Sequence, residues 1–433
     1  MALLPGAPPL APGAPRLRRR HRAVRENKIV SQRLLLFAAT TGYQIREFAR
    51  AGERLGIDVT LATDRCGRMD DPWGDGALPV KFDHRMAKTI EALRGMSCDG
   101  VAAVGDGPAE AAAVTAEMLG IPFHPPAAAR ACRDKFLARQ LYQAAGMRTP
   151  HFFRTSLDGD PAPAAARAPY PCVLKPLGLS ASRGVIRANQ PDEFVAAFRR
   201  IARIGERFLQ VESYIPGREF AVEGLVTAGR LQPLAIFDKP DPLEGPFFEE
   251  SLYITPSRQP AAVQQALLST TARAVQALGL RHGPVHAELR HNAGGACMLE
   301  MHARPIGGLC ARTLRFDHGT PLEELILRHA LGEDVSRAQP AGPASGVMMI
   351  PIPRGGIYER AEGVERAAAV PGIEDAIVTA TAGQRLIPLP EGSSYLGFLF
   401  ARASSPEAVE AALRRAHAEL RFHIATVLET FKP

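Results

Sequence analysis

Residues 286–310 read HAELRHNAGGACMLEMHARPIGGLC, and this stretch contains two short runs of alternating residues on either side of a turn-rich centre. The centre is Asn292-Ala293-Gly294-Gly295, and residues of these types favour the tight turn of a β-hairpin. In a strand, alternate side chains lie on the same face. The sequence therefore predicts a hairpin with one polar face, formed by His286, Glu288 and Arg290 on the first strand and by Glu300, His302 and Arg304 on the second. The opposite face is apolar and includes Leu299 and Met301.

A pairing in which the numbers of opposite residues sum to 588 places Glu288 directly opposite Glu300. Like charges in this position destabilise a sheet unless a positive charge lies between them. A divalent cation would supply that charge, and carboxylate oxygens are the ligands that Mg²⁺ prefers. The alternative is a solvated face carrying glutamate–arginine ion pairs, and the hairpin alone leaves both interpretations open.

The residues after the hairpin favour the ligand-binding interpretation. Arg304-Pro305-Ile306-Gly307-Gly308 places a glycine pair directly after the charged face. Glycines without a Cβ allow a ligand to approach the backbone closely.

Net charge and cysteine usage exclude several classes of protein. The chain of 433 residues has a formal charge of +7, but residues 1–28 carry a net +6, so the basic character belongs to a Pro/Ala/Gly- and Arg-rich tail that we expect to be disordered. Binding to nucleic acid is therefore not expected of the folded part.

The six cysteines form no CxxC pair, which argues against a zinc site or a disulfide framework and favours the cytoplasm. No apolar run is long enough to cross a membrane.

Strand and helix patterns alternate at the start of the folded part. Residues 33–40, RLLLFAAT, are typical of a buried strand, and a helix and a second strand at residues 57–62 follow. This βαβ unit predicts a parallel sheet. Asp106-Gly107-Pro108 then begins another helix after a strand at residues 101–104.

A small-residue loop in the middle of the chain has the composition of a phosphate-binding loop. It contains Gly178, Ser180, Ser182 and Gly184, and it follows a strand, PCVLKP, that carries Lys175 among apolar neighbours. The free amides, the hydroxyls and the lysine suit phosphate oxygens. A plain hairpin turn is the alternative.

Two acidic residues lie on strands that follow the loop. Glu212 ends one apolar strand, and Glu219 lies near the start of the next. Such residues can accept hydrogen bonds from an adenine amino group and from ribose hydroxyls, although a solvated strand face is the more frequent meaning of any single glutamate.

The order of these motifs resembles that of the ATP-grasp superfamily. RDK at 133–135, KP with its loop, VExYxxGxEF and HAEL…LEMHARPIGG occur in the family's order over residues 129 to about 335, and the chain after Ser345 resembles the C-terminal domain of the carboxylate–amine ligases. The resemblance implies a tail (1–28), an N-terminal parallel α/β domain (29–128), a central ATP-grasp fold (129–338) and a small C-terminal α+β domain (339–433).

The resemblance also implies roles for individual residues. Lys135, Lys175 and the loop would contact ATP phosphates, Glu212 the adenine and Glu219 the ribose. Glu288 and Glu300 would bind Mg²⁺, and Arg304 would hold the transferred phosphoryl group. His302 departs from the family pattern, which has asparagine there, and its imidazole nitrogen suits Mn²⁺ better than Mg²⁺.

The function implied is that of an ATP-dependent ligase that joins a carboxylate to an amine, both small molecules such as amino acids, through an acyl phosphate. A homodimer is compatible with this interpretation. Two alternatives stay open, a biotin-carboxylase-like enzyme and a non-catalytic nucleotide-binding protein of the same fold.

Overall fold

The computed structural model describes residues 31–39, 44–64, 76–82, 91 and 93–427, so the predicted basic tail lies outside the described residues. In chain order the strands are β1 (Arg33–Ala38), β2 (Asp58–Thr63), β3 (Leu78–Pro79), β4 (Gly100–Val104), β5 (Phe152–Ser156), β6 (Cys172–Pro176), β7 (Ile186–Ala188), β8 (Phe208–Ser213), β9 (Arg218–Thr227), β10 (Arg230–Asp238), β11 (Leu252–Thr255), β12 (Gly283–Asn292), β13 (Gly295–His302), β14 (Arg315–Phe316), β15 (Thr320–Pro321), β16 (Ala344–Ile350), β17 (Gly356–Glu362), β18 (Ile373–Val378), β19 (Arg385–Leu386), β20 (Gly397–Ala403) and β21 (Arg421–Ala425). The α-helices are α1 (Ile45–Leu55), α2 (Asp106–Leu119), α3 (Pro126–Arg133), α4 (Lys135–Ala144), α5 (Ala162–Arg167), α6 (Pro191–Ala202), α7 (Ala261–Leu278), α8 (Leu322–Ala330), α9 (Val364–Ala368) and α10 (Pro406–Ala418), with short 3₁₀ turns at Cys310–Thr313 and Asp317–Gly319.

The first sheet is parallel, as predicted, with strand order β3-β2-β1-β4. Its strands are apolar because both faces are covered, and β1 is buried from Leu34 to Ala38. Helix α2 begins two residues after β4, which places Asp106 at the carboxyl end of a parallel strand. Ligands bind at this edge in open α/β sheets.

A second, four-stranded sheet has the order β5-β8-β6-β7 and is antiparallel. Helix α6 covers it with Phe194, Phe198 and Ile201, which are all buried. The loop between β6 and β7 contains residues 178–184, and we call it the phosphate loop. The predicted position of this loop between two strands is confirmed.

The largest sheet has eight strands in the order β13-β12-β9-β10-β11-β16-β20-β18. Its edge is the predicted hairpin, in which Glu288 pairs with Glu300 and His286 with His302. A β-bulge follows, because Leu289 pairs with Met298 and leaves Leu299 as the extra residue. Regular strand alternation predicts Leu299 on the apolar face with Met301, but the bulge turns its side chain towards a cleft.

The eight-stranded sheet crosses the predicted boundary at residue 338, because β11 pairs antiparallel with β16. Beyond it, α10 packs on β16 and β20, and β19, β17 and β21 form a small separate sheet. The last part of the chain is therefore α+β, and the exact domain borders stay predictions. Among the described residues, no helix has the length and apolar composition that a membrane span requires.

Three histidines pack together where α8 meets β9 and the start of β12. The rings of His282 and His329 stack with centroids 4.0 Å apart, and His329 Nε2 lies 2.8 Å from the Thr227 hydroxyl. His124 Nε2 lies 3.1 Å from the Pro284 carbonyl oxygen, which accepts its hydrogen. Burial disfavours the charged imidazole, and it lowers the pKa of His124 and of His329 to about 4. Burial also lowers the pKa of His282.

This cluster should make the folded state sensitive to mild acid. In the unfolded chain these imidazoles take up protons near pH 6.5, but in the folded chain His124 and His329 take them up only near pH 4, so stability falls as the pH falls through this window. We expect His124 and His329 each to lower the free energy of unfolding by about 1–2 kcal/mol when the pH falls from 7 to 5. Urea unfolding at both pH values should therefore show a smaller pH dependence in His329→Gln than in the wild type, whereas His151→Gln, at an exposed site, should leave the pH dependence unchanged. Equal pH dependence in all three proteins would contradict the assignment.

Candidate active site

The polar face of the β12–β13 hairpin lines a cleft together with the carboxyl end of the parallel sheet and the phosphate loop. Glu288, Glu300, His302 and Arg304 all lie on this cleft, together with the glycine pair after Arg304. The hairpin thus brings together the four residues that the sequence predicted as metal ligands and phosphoryl contact. The direct pairing of Glu288 with Glu300 is also confirmed.

Lys239 supplies a positive charge that the sequence analysis missed. Its side chain is buried at the end of β10, and its ammonium contacts Glu219 at 2.9 Å, Glu288 at 3.6 Å and also Glu250. Burial alone would lower the pKa of Lys239, but the three carboxylates outweigh it and hold the pKa well above its ordinary value. One carboxylate oxygen from each of the three glutamates lies within 4.8 Å of the others, so a cation is required among them.

His286 provides a second positive charge beside Glu288. Its Nδ1 hydrogen-bonds Glu223, and its Nε2 lies 3.4 Å from Glu288 Oε1. Burial would lower the pKa of His286, but Glu223 and Glu288 together raise it to about 9. Lys239, His286 and His302 likewise overcome burial at Glu288 and hold the pKa of that carboxyl well below its usual range. Glu288 is therefore ionised, as a metal ligand must be.

Asp106 organises Arg304 and His302 from the opposite side of the cleft. Arg304 donates from Nε to Asp106 Oδ1 at 3.0 Å, and His302 Nδ1 lies 2.9 Å from the same oxygen. Burial would raise the pKa of Asp106, but Arg304 and His302 lower it well below the usual range. Because the carboxylate accepts, Nδ1 of His302 donates, and Nε2 lies 3.6 Å from Glu300 Oε2. A carboxylate that accepts from one ring nitrogen fixes the orientation of the imidazole and leaves the other nitrogen free to bind a metal, as is typical of ligating histidines.

Lys175 and Glu212, which were predicted to contact opposite ends of the nucleotide, form an ion pair at 2.5 Å. Glu212 also accepts from Arg139 at 2.9 Å and from the Gln210 amide at 2.9 Å. Burial would raise the pKa of Glu212, but Arg139 and Lys175 lower it to about 2. A carboxylate has about four acceptor positions, and a contact with Arg139 Nη2 at 3.4 Å takes up the fourth here. A direct adenine contact from Glu212 would require one of these donors to leave.

The phosphate loop takes a left-handed backbone conformation at three positions. Ala181, Ser182 and Gly184 have φ angles of 55°, 54° and 71°. The amides of residues 183–185 already donate to carbonyl oxygens of the protein. A Cβ on Gly184 would lie 2.6 Å from Pro176 Cγ, so the position requires glycine. Lys135 donates to the Leu179 carbonyl at 2.6 Å and lies 3.4 Å from Glu300 Oε2, which links the loop to the hairpin.

Apolar side chains line the inner end of the cleft next to Lys175 and Glu212. They come from both sheets and from a connecting segment, and they are Val173, Val185, Ile215, Phe248 and Leu299. Glu219 closes the same pocket and is held by Lys239 and, at 2.9 Å, by Arg290 Nε. A slot between apolar walls with charged groups at one end suits a flat base attached to polar groups.

Helix α4 buries polar residues beside its apolar ones. Leu137 and Leu141 pack against the core, whereas Ala144 is exposed and Arg139 and Tyr142 are buried. Arg139 is buried because Glu212 and the Met298 carbonyl, at 2.6 Å, accept its hydrogens. The sequence signal for a functional Arg139 is its spacing from Lys135, because residues four apart lie on the same helix face.

Two regions of the chain match known protein families. Residues 168–313 match the ATP-grasp domain, so this part of the chain is an ATP-grasp domain. Residues 348–425 match the L-amino acid ligase C-terminal domain 2. The crystal structure of L-amino acid ligase from Bacillus licheniformis superimposes with a TM-score of 0.75 and 26% sequence identity, over 92% of this chain and 99% of that one.

Two curated relatives match the chain over shorter lengths. Carnosine synthase 1 from Gallus gallus is 30% identical over 315 residues, which are 65% of this chain and 34% of that protein. D-alanine–D-alanine ligase from Aromatoleum aromaticum is 30% identical over 196 residues, which are 44% of this chain and 62% of that protein. The chain thus spans less than two thirds of the length of either relative.

Proposed function

We propose that the protein is an ATP-dependent ligase that joins the carboxylate of one amino acid to the amine of another, with release of ADP and phosphate. The observation that carries this proposal is the Asp106–Arg304 pair, which lies in one cleft with the Glu288–Glu300 pair and the phosphate loop. The match of residues 348–425 to a ligase C-terminal domain favours amide formation over the biotin-carboxylase-like alternative. The names of the relatives support amino acids as the substrates.

The nucleotide would lie between the lid sheet, β5-β8-β6-β7, and the hairpin. We propose that Lys175 and Lys135 neutralise its phosphates and that Gly178, Ser180 and Ser182 donate from the loop. Gly184, whose amide donates to the Pro390 carbonyl oxygen, would shape the loop around the phosphates. The apolar slot would receive adenine, with Glu212 acting through Lys175, and Glu219 would contact the ribose. Lys175 lies at the mouth of this slot, where a phosphate group would replace part of its contact with Glu212.

The acidic residues of the hairpin fit a divalent metal ion. Glu288 and Glu300 offer hard carboxylate oxygens, which suit Mg²⁺, and His302 Nε2 adds a nitrogen that would favour Mn²⁺. When bound, such an ion neutralises charge on the transferred phosphoryl group. Lys239 carries one positive charge against Glu219, Glu250 and Glu288 together, so these carboxylates keep a net negative charge that a divalent ion would offset.

The reaction needs positioning and neutralisation more than covalent help from the protein. A carboxylate oxygen of the first substrate forms a bond to the γ-phosphorus as the bond to the β-phosphate oxygen breaks, which gives an acyl phosphate and ADP. The amine nitrogen of the second substrate then bonds to the acyl carbon, loses a proton and expels inorganic phosphate. Arg304, held by Asp106, would stabilise the charge on the acyl phosphate.

Incubation with ATP, Mg²⁺ and pooled amino acids tests this proposal, with the products identified by mass. We expect a dipeptide together with ADP. With one acid, ATP and hydroxylamine, we expect the corresponding hydroxamate, because hydroxylamine intercepts acyl phosphates. Formation of AMP instead of ADP, or metal-dependent ATP turnover that requires bicarbonate, would contradict the proposed reaction.

The described cysteines are free thiols, which supports a reducing compartment, and we propose the cytoplasm. They are Cys98, Cys132, Cys172, Cys297 and Cys310. The homodimer stays a prediction.

A further inference from the structure

The phosphate loop is bound from outside its own sheet by the connection between β19 and β20. The amide of Gly184 donates to the Pro390 carbonyl oxygen at 2.8 Å. Arg183 Nε donates to the Glu391 carbonyl oxygen at 2.9 Å. The segment that makes these contacts is 200 residues away in sequence and lies within the region that matches the ligase C-terminal domain.

The side chain of Glu391 extends this contact to helix α6. Its two carboxylate oxygens accept from Nε and Nη2 of Arg200, the second at 2.9 Å, so the pair is bidentate. Glu391 therefore bonds the phosphate loop through its backbone and the helix that covers the lid sheet through its side chain. A bidentate pair fixes orientation as well as distance.

Arg200 is also where a second segment reaches the lid sheet. Its guanidinium lies 5.0 Å from the ring centroid of Phe247, and Phe247 forms a β-bridge with Ile186 on the edge strand β7. The amide of Arg187, also on β7, donates to the Pro246 carbonyl oxygen at 2.9 Å. Pro246 and Phe247 belong to the loop that runs from Lys239 to Glu250. Both of these end residues belong to the charged cluster beside Glu288.

The connection that carries Glu391 also reaches the cleft. Ser393 and Tyr395 line it opposite Arg304 and the glycine pair. A displacement of this connection would thus change the phosphate loop and the outer wall of the cleft together.

We infer that the Glu391–Arg200 pair is a latch that holds the phosphate loop closed over the nucleotide, which makes Glu391 a positioning residue. This inference rests on the proposed binding of ATP. About four tenths of each side chain is exposed, 43% for Arg200 and 39% for Glu391, so water competes for the pair. Exposed pairs are individually weak, and a weak latch can open to exchange ADP for ATP. When it opens, the loop loses its bonds at Arg183 and Gly184 together.

Glu391→Gln and Arg200→Gln test the latch without altering the backbone contacts directly. We expect either variant to weaken the binding of a non-hydrolysable ATP analogue by roughly 2- to 5-fold in calorimetry, the upper part of the range for one exposed ion pair. Hydrogen exchange of residues 178–184 in the bound state should become faster. The double variant Glu391→Arg/Arg200→Glu should recover most of the affinity. Higher salt should reduce the difference between wild type and Glu391→Gln, because it screens the pair.

Glu419→Gln is the matched control. It removes a comparable exposed pair, to Arg366 at 2.9 Å, in the same C-terminal region but away from the lid sheet. It should change neither the affinity nor the exchange of the loop. Unchanged affinity and exchange in Glu391→Gln, or equal changes in Glu419→Gln, would overturn the latch. These measurements use nucleotide alone, so an absence of ligation would count against the proposed reaction and not against the latch.

Discussion

Replacing Arg304 with lysine should lower kcat/KM for ligation by about 10²–10³-fold, the cost of losing one preorganised donor to a developing negative charge. The guanidinium is buried, spans both oxygens of Asp106 at 3.0 and 3.5 Å and bonds the Pro305 carbonyl at 2.9 Å. Lysine keeps the charge but lacks the planar fork, so it cannot hold Asp106 and a phosphoryl oxygen at the same time. We expect ATP affinity to change little, because Lys135, Lys175 and the phosphate loop would supply the other phosphate contacts.

Steady-state kinetics with ATP and the two substrates measure this effect, and calorimetry with nucleotide measures the affinity. Arg328→Lys is a suitable control, since the partly exposed Arg328 pairs with Glu324 at 2.9 Å, does not line the cleft and should keep normal turnover when replaced. Normal kcat/KM in Arg304→Lys would show that the guanidinium does not contact the reacting groups.

Replacing Lys239 with methionine should destabilise the fold and abolish most turnover. The substitution keeps the length of the side chain but leaves Glu219, Glu250 and Glu288 without the ammonium that all three contact. Loss of one partner from a buried ion pair costs about 3–5 kcal/mol. Because these carboxylates lie within 4.8 Å of one another, a divalent cation can replace part of the lost charge. We therefore expect Mg²⁺ to raise the Tm of the variant more than that of the wild type.

Unfolding in denaturant gives the stability, and melting with EDTA or with excess Mg²⁺ gives the response to metal. Lys81→Met removes a lysine that donates to the Asp64 carbonyl near the surface, and it should show the wild-type response. If Lys239→Met were as stable as the wild type in EDTA, the ammonium would not be neutralising this cluster.

Local patterns were sufficient to predict the parts of the fold that depend on neighbours in sequence. The hairpin could be predicted because two alternating runs flank Asn292 and a glycine pair. The pairing of Glu288 with Glu300 was also predicted, but the turn alone would place Glu288 opposite Leu299, and the bulge restores the predicted pair. The β1–α1–β2 unit could be predicted from its apolar period. The bulge at Leu299 was not predictable, since nothing in LEMH distinguishes a bulged strand from a regular one.

Residues that act through tertiary contacts were the ones missed. Asp106 was recognised only as the start of a helix, and its contact with Arg304 joins residues 198 positions apart. Lys239 follows a strand in the run Asp-Lys-Pro-Asp-Pro, which reads as a surface turn. Its burial depends on three glutamates from three other segments, and a single sequence does not indicate which segments meet.

The pairing of β11 with β16 has a consequence for engineering this protein. A chain that ended at residue 338 would lose three strands from the largest sheet and expose the apolar edge of β11, Leu252 to Thr255, to other molecules. Unprotected edges of this kind promote aggregation. The two family-matched regions are therefore distinguishable in sequence but not separable as folded pieces. A chimera with new specificity would have to keep Tyr253 opposite Val347, so that β11 and β16 of the hybrid sheet pair in the native register.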